Sequence, residues 1–156
     1  MAELSPGDTV PSFKLLDQEG GSVQLKDFKG KHLLIYFYPR ANTPGCTRQS
    51  CAVSQALPDF KRLKLAVVGI SPDKPESQRR FDEKYQLGFP LLSDTDKEVA
   101  KKYGALGLKN VHGKKKEGII RSSFLIDQKG KLVGTWYKVK PEDTVPKLLE
   151  ALKNNR

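Results

Sequence analysis

The feature that most constrains the fold is a continuous apolar run that leads directly into a turn containing proline and glycine. Residues 32–38 read HLLIYFY, and the turn at residues 43–45 reads TPG. An apolar run without polar alternation predicts a strand that is covered on both faces, as at the centre of an α/β sheet. The chain has 156 residues, enough to bury such a core. We therefore expect one α/β domain spanning residues 1–156, with helices packed on both faces of the sheet.

The remaining segments alternate between strand and helix patterns. Residues 65–71 form a second buried apolar run, and residues 89–94 predict a short strand. Turn residues between apolar runs predict hairpins at both ends of the chain, over residues 11–25 and 122–137. Helices are predicted over residues 46–61, where Pro58 bends or ends the helix, and over 77–85, 97–103 and the segment that follows Pro141.

Both cysteines of the chain lie just after the turn that follows the first apolar run. The first N–H groups of a helix have no intrahelical partner, and the helix dipole there favours negative charge. Cys46, at the predicted helix start, is therefore expected to form a thiolate readily. Arg40 and Arg48 flank it, either to polarise the thiol or simply as surface residues. Cys51 lies five residues further on, where it can react with an oxidised sulfur, and this pattern is typical of a redox enzyme.

The helical spacing of the two cysteines restricts how they could pair. In an α-helix, residues 46 and 51 would have Cα atoms about 8.6 Å apart, because five residues rise about 7.5 Å along the axis. Disulfides usually need a Cα separation below about 7 Å. A bond between Cys46 and Cys51 would therefore require the start of this helix to unwind.

Charge and composition limit the other functional classes. The net charge is +10, and the densest basic segment is residues 109–116, which we expect to be a solvated loop. Because that segment has no aromatic residue to stack on bases, binding of nucleic acid is not expected. A zinc site would need ligands beyond the two cysteines, and the chain offers only His32 and His112. We expect no membrane association and a cytoplasmic location, because no apolar run approaches about 20 residues and the N-terminus has no signal-peptide pattern.

Several motifs resemble those of a known family. Residues 36–39 (YFYP), residues 43–47 (TPGCT) and Cys51 are similar to the active-site signature of the Q-type peroxiredoxins, also called bacterioferritin comigratory proteins. Residues 7–11 and 121–127 also have counterparts in that family, so the resemblance covers nearly the whole chain. It implies a thioredoxin-like (peroxiredoxin) fold, with a central mixed sheet flanked by helices and an N-terminal hairpin.

The resemblance also implies an activity and a set of site residues. The protein would be a thiol peroxidase, with Cys46 attacking the peroxide to become a sulfenic acid and Cys51 resolving it as an intramolecular disulfide. Thr43 and Arg121 occupy the family's positions for activating the thiolate and binding the peroxide, and Pro39 shields the pocket. Gln49 stands where many relatives carry glutamate, so a role of that carboxylate does not transfer to this chain.

The family further implies peroxides as substrates, thioredoxin or glutaredoxin as the reductant, a monomer, and no cofactor or metal. Two other functions stay open at this stage. One is a disulfide oxidoreductase or thiol-based sensor, although thioredoxin-type reductases have two residues between their cysteines and this chain has four. The other is a module that binds polyanions through the excess positive charge.

Overall fold

A seven-stranded mixed sheet forms the centre of the protein, in the strand order β2-β1-β5-β4-β3-β8-β9. The computed structural model describes residues 3–154, apart from the side chains of Lys109 and Val111. The strands are β1 (Lys14–Leu16), β2 (Ser22–Gln24), β3 (His32–Phe37), β4 (Leu65–Ser71), β5 (Leu91–Ser93), β6 (Leu106–Val111), β7 (Lys114–Ile119), β8 (Ser122–Ile126) and β9 (Leu132–Trp136). The helices are α1 (Pro44–Arg62), α2 (Pro75–Tyr85), α3 (Glu98–Lys102) and α4 (Thr144–Asn154). Short 3-10 turns cover Leu25–Phe28 and Pro141–Asp143.

The predicted central strand is confirmed as β3, which pairs in parallel with β4 and antiparallel with β8. Its side chains alternate between two core clusters. Leu33, Ile35 and Phe37 lie on the face covered by α3. The opposite face carries Leu34 and Tyr36 and is covered by α1, α2 and α4. Because both faces are buried, the strand needs no polar alternation, which accounts for the uninterrupted apolar run.

Both predicted hairpins at the chain ends are confirmed, as β1–β2 and β8–β9. The prediction of a solvated loop at residues 109–116 is wrong, because this basic segment lies in a separate two-stranded hairpin formed by β6 and β7. His112 and Gly113 connect the strands, and both have positive φ angles, 52° and 79°. Two such residues make the tight turn that matches the twist of paired strands. Lys114, Lys115 and Lys116 are exposed on β7, whereas the side chain of Lys109 lies outside the described part of the chain.

Helix α1 begins two residues before the predicted start and continues through Pro58 to Arg62. Its buried residues recur every three to four positions and include Val53, Ala56 and Phe60. This spacing places an apolar stripe against the sheet. The free energy gained by packing this stripe exceeds the cost of the one backbone hydrogen bond that Pro58 cannot donate, so the helix continues. In the described residues, no helix has the length and apolar character needed to cross a membrane.

Close packing at the carboxyl ends of β3 and β4 fixes the floor beneath the start of α1. Tyr36 lies beside Gly69 of β4 in the parallel pairing. A Cβ atom added at Gly69 would lie 2.9 Å from the ring and hydroxyl of Tyr36 and 3.1 Å from the ring of Tyr38. The two tyrosine rings therefore fit only because residue 69 is a glycine. The chain leaves β3 here and turns into α1, which carries both cysteines.

Candidate active site

Cys46 is the third residue of α1 and is only 1% exposed. Thr43 precedes the helix as its N-cap, but its side chain makes no capping hydrogen bond. Instead the Thr43 hydroxyl donates to the carbonyl oxygen of Arg40 at 2.8 Å. The first helical N–H groups, including that of Cys46, are thus left without a side-chain cap, and they favour negative charge on the adjacent sulfur. Since the Thr43 proton is already donated, its oxygen can still accept a hydrogen bond from an incoming group.

Arg121 supplies a permanent positive charge beside the sulfur. It follows β7 and immediately precedes β8, and its Nη2 donates to Cys46 Sγ at 3.4 Å. The other terminal nitrogen, Nη1, donates to Gln49 Oε1 at 2.7 Å. A Cβ atom at Gly45 would lie 3.3 Å from Nη2 and 3.5 Å from Pro141, so the glycine gives the guanidinium room to reach the thiol. The helix N-terminus and the guanidinium both place positive electrostatic potential at the buried sulfur.

Gln49 is a residue of the site whose role the sequence analysis left undefined. It is fully buried, and besides accepting from Arg121 it donates through Nε2 to Thr144 Oγ1 at 2.8 Å. Thr144 is the first residue of α4 and is also buried. The sequence contained one local indication of this role. Residues three apart on a helix lie on the same face, so the polar side chain at position 49 is expected beside Cys46.

Two buried tyrosines line the floor of the site and act as neutral hydrogen-bonding groups. The Tyr36 hydroxyl pairs with Ser50 Oγ at 2.8 Å, and the Tyr38 hydroxyl donates to Gln78 Oε1 at 2.5 Å. Burial raises the pKa of both tyrosines well above the usual range for a phenol. They therefore hold α1 and α2 on the sheet without adding charge near the cysteines.

The loop that carries Pro39 and Thr43 is braced from β4. Asp73 Oδ2 accepts from the backbone N–H of Ala41 at 2.7 Å and from Ser71 Oγ at 2.7 Å. Pro39 is half-buried at the end of β3, between the strand and this loop. Asp73 therefore fixes the loop that borders the site.

Cys51 lies about one and a half turns after Cys46 on the same continuous helix, and both cysteines are free thiols. Cys51 is partly exposed, and burial raises the pKa of its thiol, so it is protonated at neutral pH. The intact helix keeps the two Cα atoms about 8.6 Å apart by ideal geometry. In the reduced protein the two sulfurs are therefore separated and in different environments.

The structure thus brings Cys46, Thr43 and Arg121 together at one helix start, with Pro39 on the adjoining loop and Cys51 on the next turn. Arg40 and Arg48, which flank the thiol in sequence, are exposed. Within residues 3–154, no three His, Cys, Asp or Glu side chains are grouped as a metal site would need. The arrangement suits a nucleophilic thiolate attacking an atom whose leaving group gains negative charge, since Arg121 can stabilise that charge.

Comparison with known proteins identifies the chemistry. The profile of the AhpC/TSA family matches residues 6–135. Peroxiredoxin Bcp of Escherichia coli is 48% identical over 132 residues, covering 85% of this chain and 85% of that protein. A cysteine mutant of PrxQ from Xylella fastidiosa superposes with a TM-score of 0.92 at 30% identity, covering 99% of both chains.

The bacterioferritin comigratory protein of Xanthomonas campestris, whose complexes address its alkyl peroxide reduction activity, gives a TM-score of 0.87 at 34% identity over 92% of this chain and 91% of its own. These solved structures are peroxiredoxins with a thioredoxin fold, which confirms the fold expected from the sequence motifs. The chain therefore belongs to the AhpC/TSA family, as a peroxidase of the Bcp or Q type of peroxiredoxin.

Proposed function

We propose that this peroxidase reduces hydrogen peroxide and organic hydroperoxides through a sulfenic acid on Cys46, which Cys51 resolves as an intramolecular disulfide and thioredoxin reduces again. The observation that carries the proposal is the 3.4 Å contact between Arg121 Nη2 and the buried sulfur of Cys46 at the helix start. It unites the three features that thiolate attack on a peroxide needs: an anionic nucleophile, a donor for the leaving oxygen and exclusion of bulk water.

In the first step, the Cys46 thiolate attacks the terminal oxygen of ROOH. The O–O bond breaks, the sulfur is oxidised by two electrons to Cys46–SOH, and the departing RO⁻ takes up a proton to become ROH. Arg121 stabilises the charge that develops on the oxygens, and the uncapped N–H of Cys46 adds a second donor. Thr43, whose hydroxyl proton is directed to Arg40, accepts the hydrogen bond of the peroxide O–H. Pro39 shields this pocket from water.

In the second step, Cys51 attacks the sulfenic sulfur, forming the S–S bond and releasing water. The helical separation of about 8.6 Å exceeds what a disulfide allows, so the first turns of α1 must unwind before the bond forms. Pro44 and Gly45 at the helix start, and the polar residues Thr47 and Ser50, keep the cost of local opening low. A dithiol reductant of the thioredoxin or glutaredoxin class then breaks the disulfide, and both cysteines return to thiols.

This cycle fits a reducing compartment such as the cytoplasm, because the reduced fold holds both thiols free and apart. We further propose that residues 1–156 act as one domain, since both core clusters pack on the same seven-stranded sheet. We also propose that the protein acts as a monomer, as the family resemblance implies.

Mass spectrometry after one equivalent of hydrogen peroxide tests the proposal. Wild-type protein is expected to lose two hydrogen atoms and to yield a peptide cross-linked between Cys46 and Cys51. Cys46→Ser should consume no peroxide, whereas Cys51→Ser should complete a single round of oxidation and stop at the sulfenic acid. Full peroxidase activity in Cys46→Ser, or a wild-type protein without the 46–51 bond, would overturn the assigned roles.

A further inference from the structure

Gln49 connects two parts of the protein that are far apart in sequence. Its amide oxygen accepts from Arg121, and its amide nitrogen donates to Thr144 at the first residue of α4. The Thr144 hydroxyl in turn lies 3.4 Å from the carbonyl oxygen of Lys140, to which it donates. The three hydrogen bonds therefore run in one direction, from Arg121 to Gln49, from Gln49 to Thr144, and from Thr144 to the Lys140 carbonyl.

This geometry requires an amide at position 49. A neutral amide can accept from Arg121 and donate to Thr144 at the same time, whereas a carboxylate can only accept. An amide also leaves the positive charge of Arg121 unpaired by Gln49, so the charge acts on the sulfur of Cys46 and on the departing oxygen of the substrate. All of Gln49 and nearly all of Thr144 are removed from solvent, and buried polar groups of this kind hold their partners in one geometry.

The position of Gln49 along α1 ties this link to the redox state. Residue 49 lies between Cys46 and Cys51, on the turn that has to open before the two sulfurs can bond. When that turn unwinds, the Gln49 side chain is carried away from Arg121 and from Thr144 together. Pro141, in the 3-10 turn before α4, lies against Gly45 at the same helix start. Unwinding of that turn of α1 would therefore remove this contact as well.

We propose that Gln49 and Thr144 are positioning residues for Arg121 in the reduced protein, and that forming the Cys46–Cys51 disulfide breaks this link and releases the start of α4. The inference rests on the proposed function, because it assumes that this disulfide forms. Two consequences follow: the link speeds attack on the peroxide, and it must be broken for the resolving step. Weakening it should therefore change the two rates in opposite directions.

Thr144→Val tests the first consequence, because valine keeps the shape of threonine and removes the hydroxyl. We expect the rate constant for Cys46 oxidation by hydrogen peroxide to fall about tenfold, the effect of leaving one buried polar group unpaired. The rate of conversion of sulfenic acid to disulfide should rise by a similar factor. Thr144→Ser retains the hydroxyl and should restore both rates. A fall in both rates in Thr144→Val, or no change in either, would overturn the positioning role. Thr144→Ser also controls for packing, because it loses a methyl group while keeping the hydroxyl; if it behaved like Thr144→Val, the hydrogen bond would not be the cause.

Hydrogen exchange tests the second consequence on the full chain. Peptides spanning residues 140–149 should exchange about tenfold faster in the disulfide form than in the reduced form. Cys51→Ser treated with peroxide is the matched control, because it carries the sulfenic acid without the disulfide and should keep the slow exchange. If the 46–51 bond is seen by mass spectrometry while residues 140–149 exchange unchanged, this inference fails and the proposed function stands. If the bond itself does not form, the proposed function fails.

Discussion

Replacing Arg121 with lysine separates the geometry of its guanidinium from its charge. In the wild type, two terminal nitrogens of one planar group donate to Cys46 Sγ at 3.4 Å and to Gln49 Oε1 at 2.7 Å. Lysine keeps the positive charge, but it has a single ammonium group on a shorter side chain and cannot reproduce this fork. The ammonium can therefore satisfy the sulfur or the amide, but not both at their present positions.

The expected cost follows from the contact that is lost. One hydrogen bond to a charged group contributes about 1.5–3 kcal/mol. At 1.36 kcal/mol for each factor of ten, Arg121→Lys should lower the rate constant for Cys46 oxidation by about 10- to 150-fold. The rate is best measured on fully reduced protein, by acid quenching after mixing with excess hydrogen peroxide and counting sulfenic acid and disulfide by mass spectrometry.

Arg48→Lys provides the matched control, because Arg48 is an exposed arginine on α1, the helix that carries Cys46. We expect it to change the oxidation rate by less than about twofold, as is usual for substitutions of exposed charges. If Arg121→Lys also stayed within twofold of the wild type, with an unchanged melting temperature, the forked contact would contribute nothing to peroxide attack. The catalytic role assigned to the guanidinium would then be refuted.

Three further predictions concern the surroundings of the thiol. Gly69→Ala should lower the free energy of unfolding by about 1–3 kcal/mol in urea denaturation, because the new Cβ would lie 2.9 Å from the buried Tyr36 ring; an unchanged urea midpoint would contradict the packing argument. Because burial raises the pKa of the Cys51 thiol, its reactive thiolate is the minor form at neutral pH. The rate of disulfide formation should therefore rise about tenfold per pH unit between pH 6 and 8. A rate that does not change with pH would contradict attack by the Cys51 thiolate. Asp73→Ala removes the acceptor of the Ala41 N–H and should cost about 1–3 kcal/mol of stability and slow peroxide reduction, whereas Asp73→Asn keeps an oxygen acceptor and should be milder. Equal behaviour of the two Asp73 variants would show that the brace does not depend on that acceptor.

The parts of the molecule that the sequence predicted well are those specified by neighbouring residues. The run at residues 32–38 predicts a strand buried on both faces, and the turn at residues 43–45 predicts the helix start that carries Cys46. In both cases hydrophobic pattern and turn chemistry act within a few positions. The basic segment at residues 109–116 was misread because its charge suggested a loop. The local signal for a hairpin was Gly113, since the tight turn between paired strands needs positive φ angles, which the structure has at His112 and Gly113.

Contacts between distant residues could not be predicted from local pattern. Arg121 is 75 positions from Cys46, and Thr144 is 95 positions from Gln49. Nothing near Arg121 in the sequence distinguishes it from other arginines, so only the family resemblance indicated it. Thr144 had no such indication, because its role depends on where α4 docks against α1.

The change from polar to apolar anchoring along α1 sets how far the helix opens during catalysis. Up to Cys51 the helix is held by polar contacts, namely Arg121 with Cys46, Thr144 with Gln49 and Tyr36 with Ser50. Breaking each of the two neutral contacts costs about 0.5–1.5 kcal/mol, and breaking the contact with the Arg121 guanidinium costs about 1.5–3 kcal/mol, because the separated groups bind water instead. From Val53 onward the buried residues are apolar, and exposing each of the larger ones costs about 1.5–3 kcal/mol with no compensation from water. Opening should therefore include both cysteines and stop before Val53, so that the disulfide can form while the rest of α1 stays packed on the sheet.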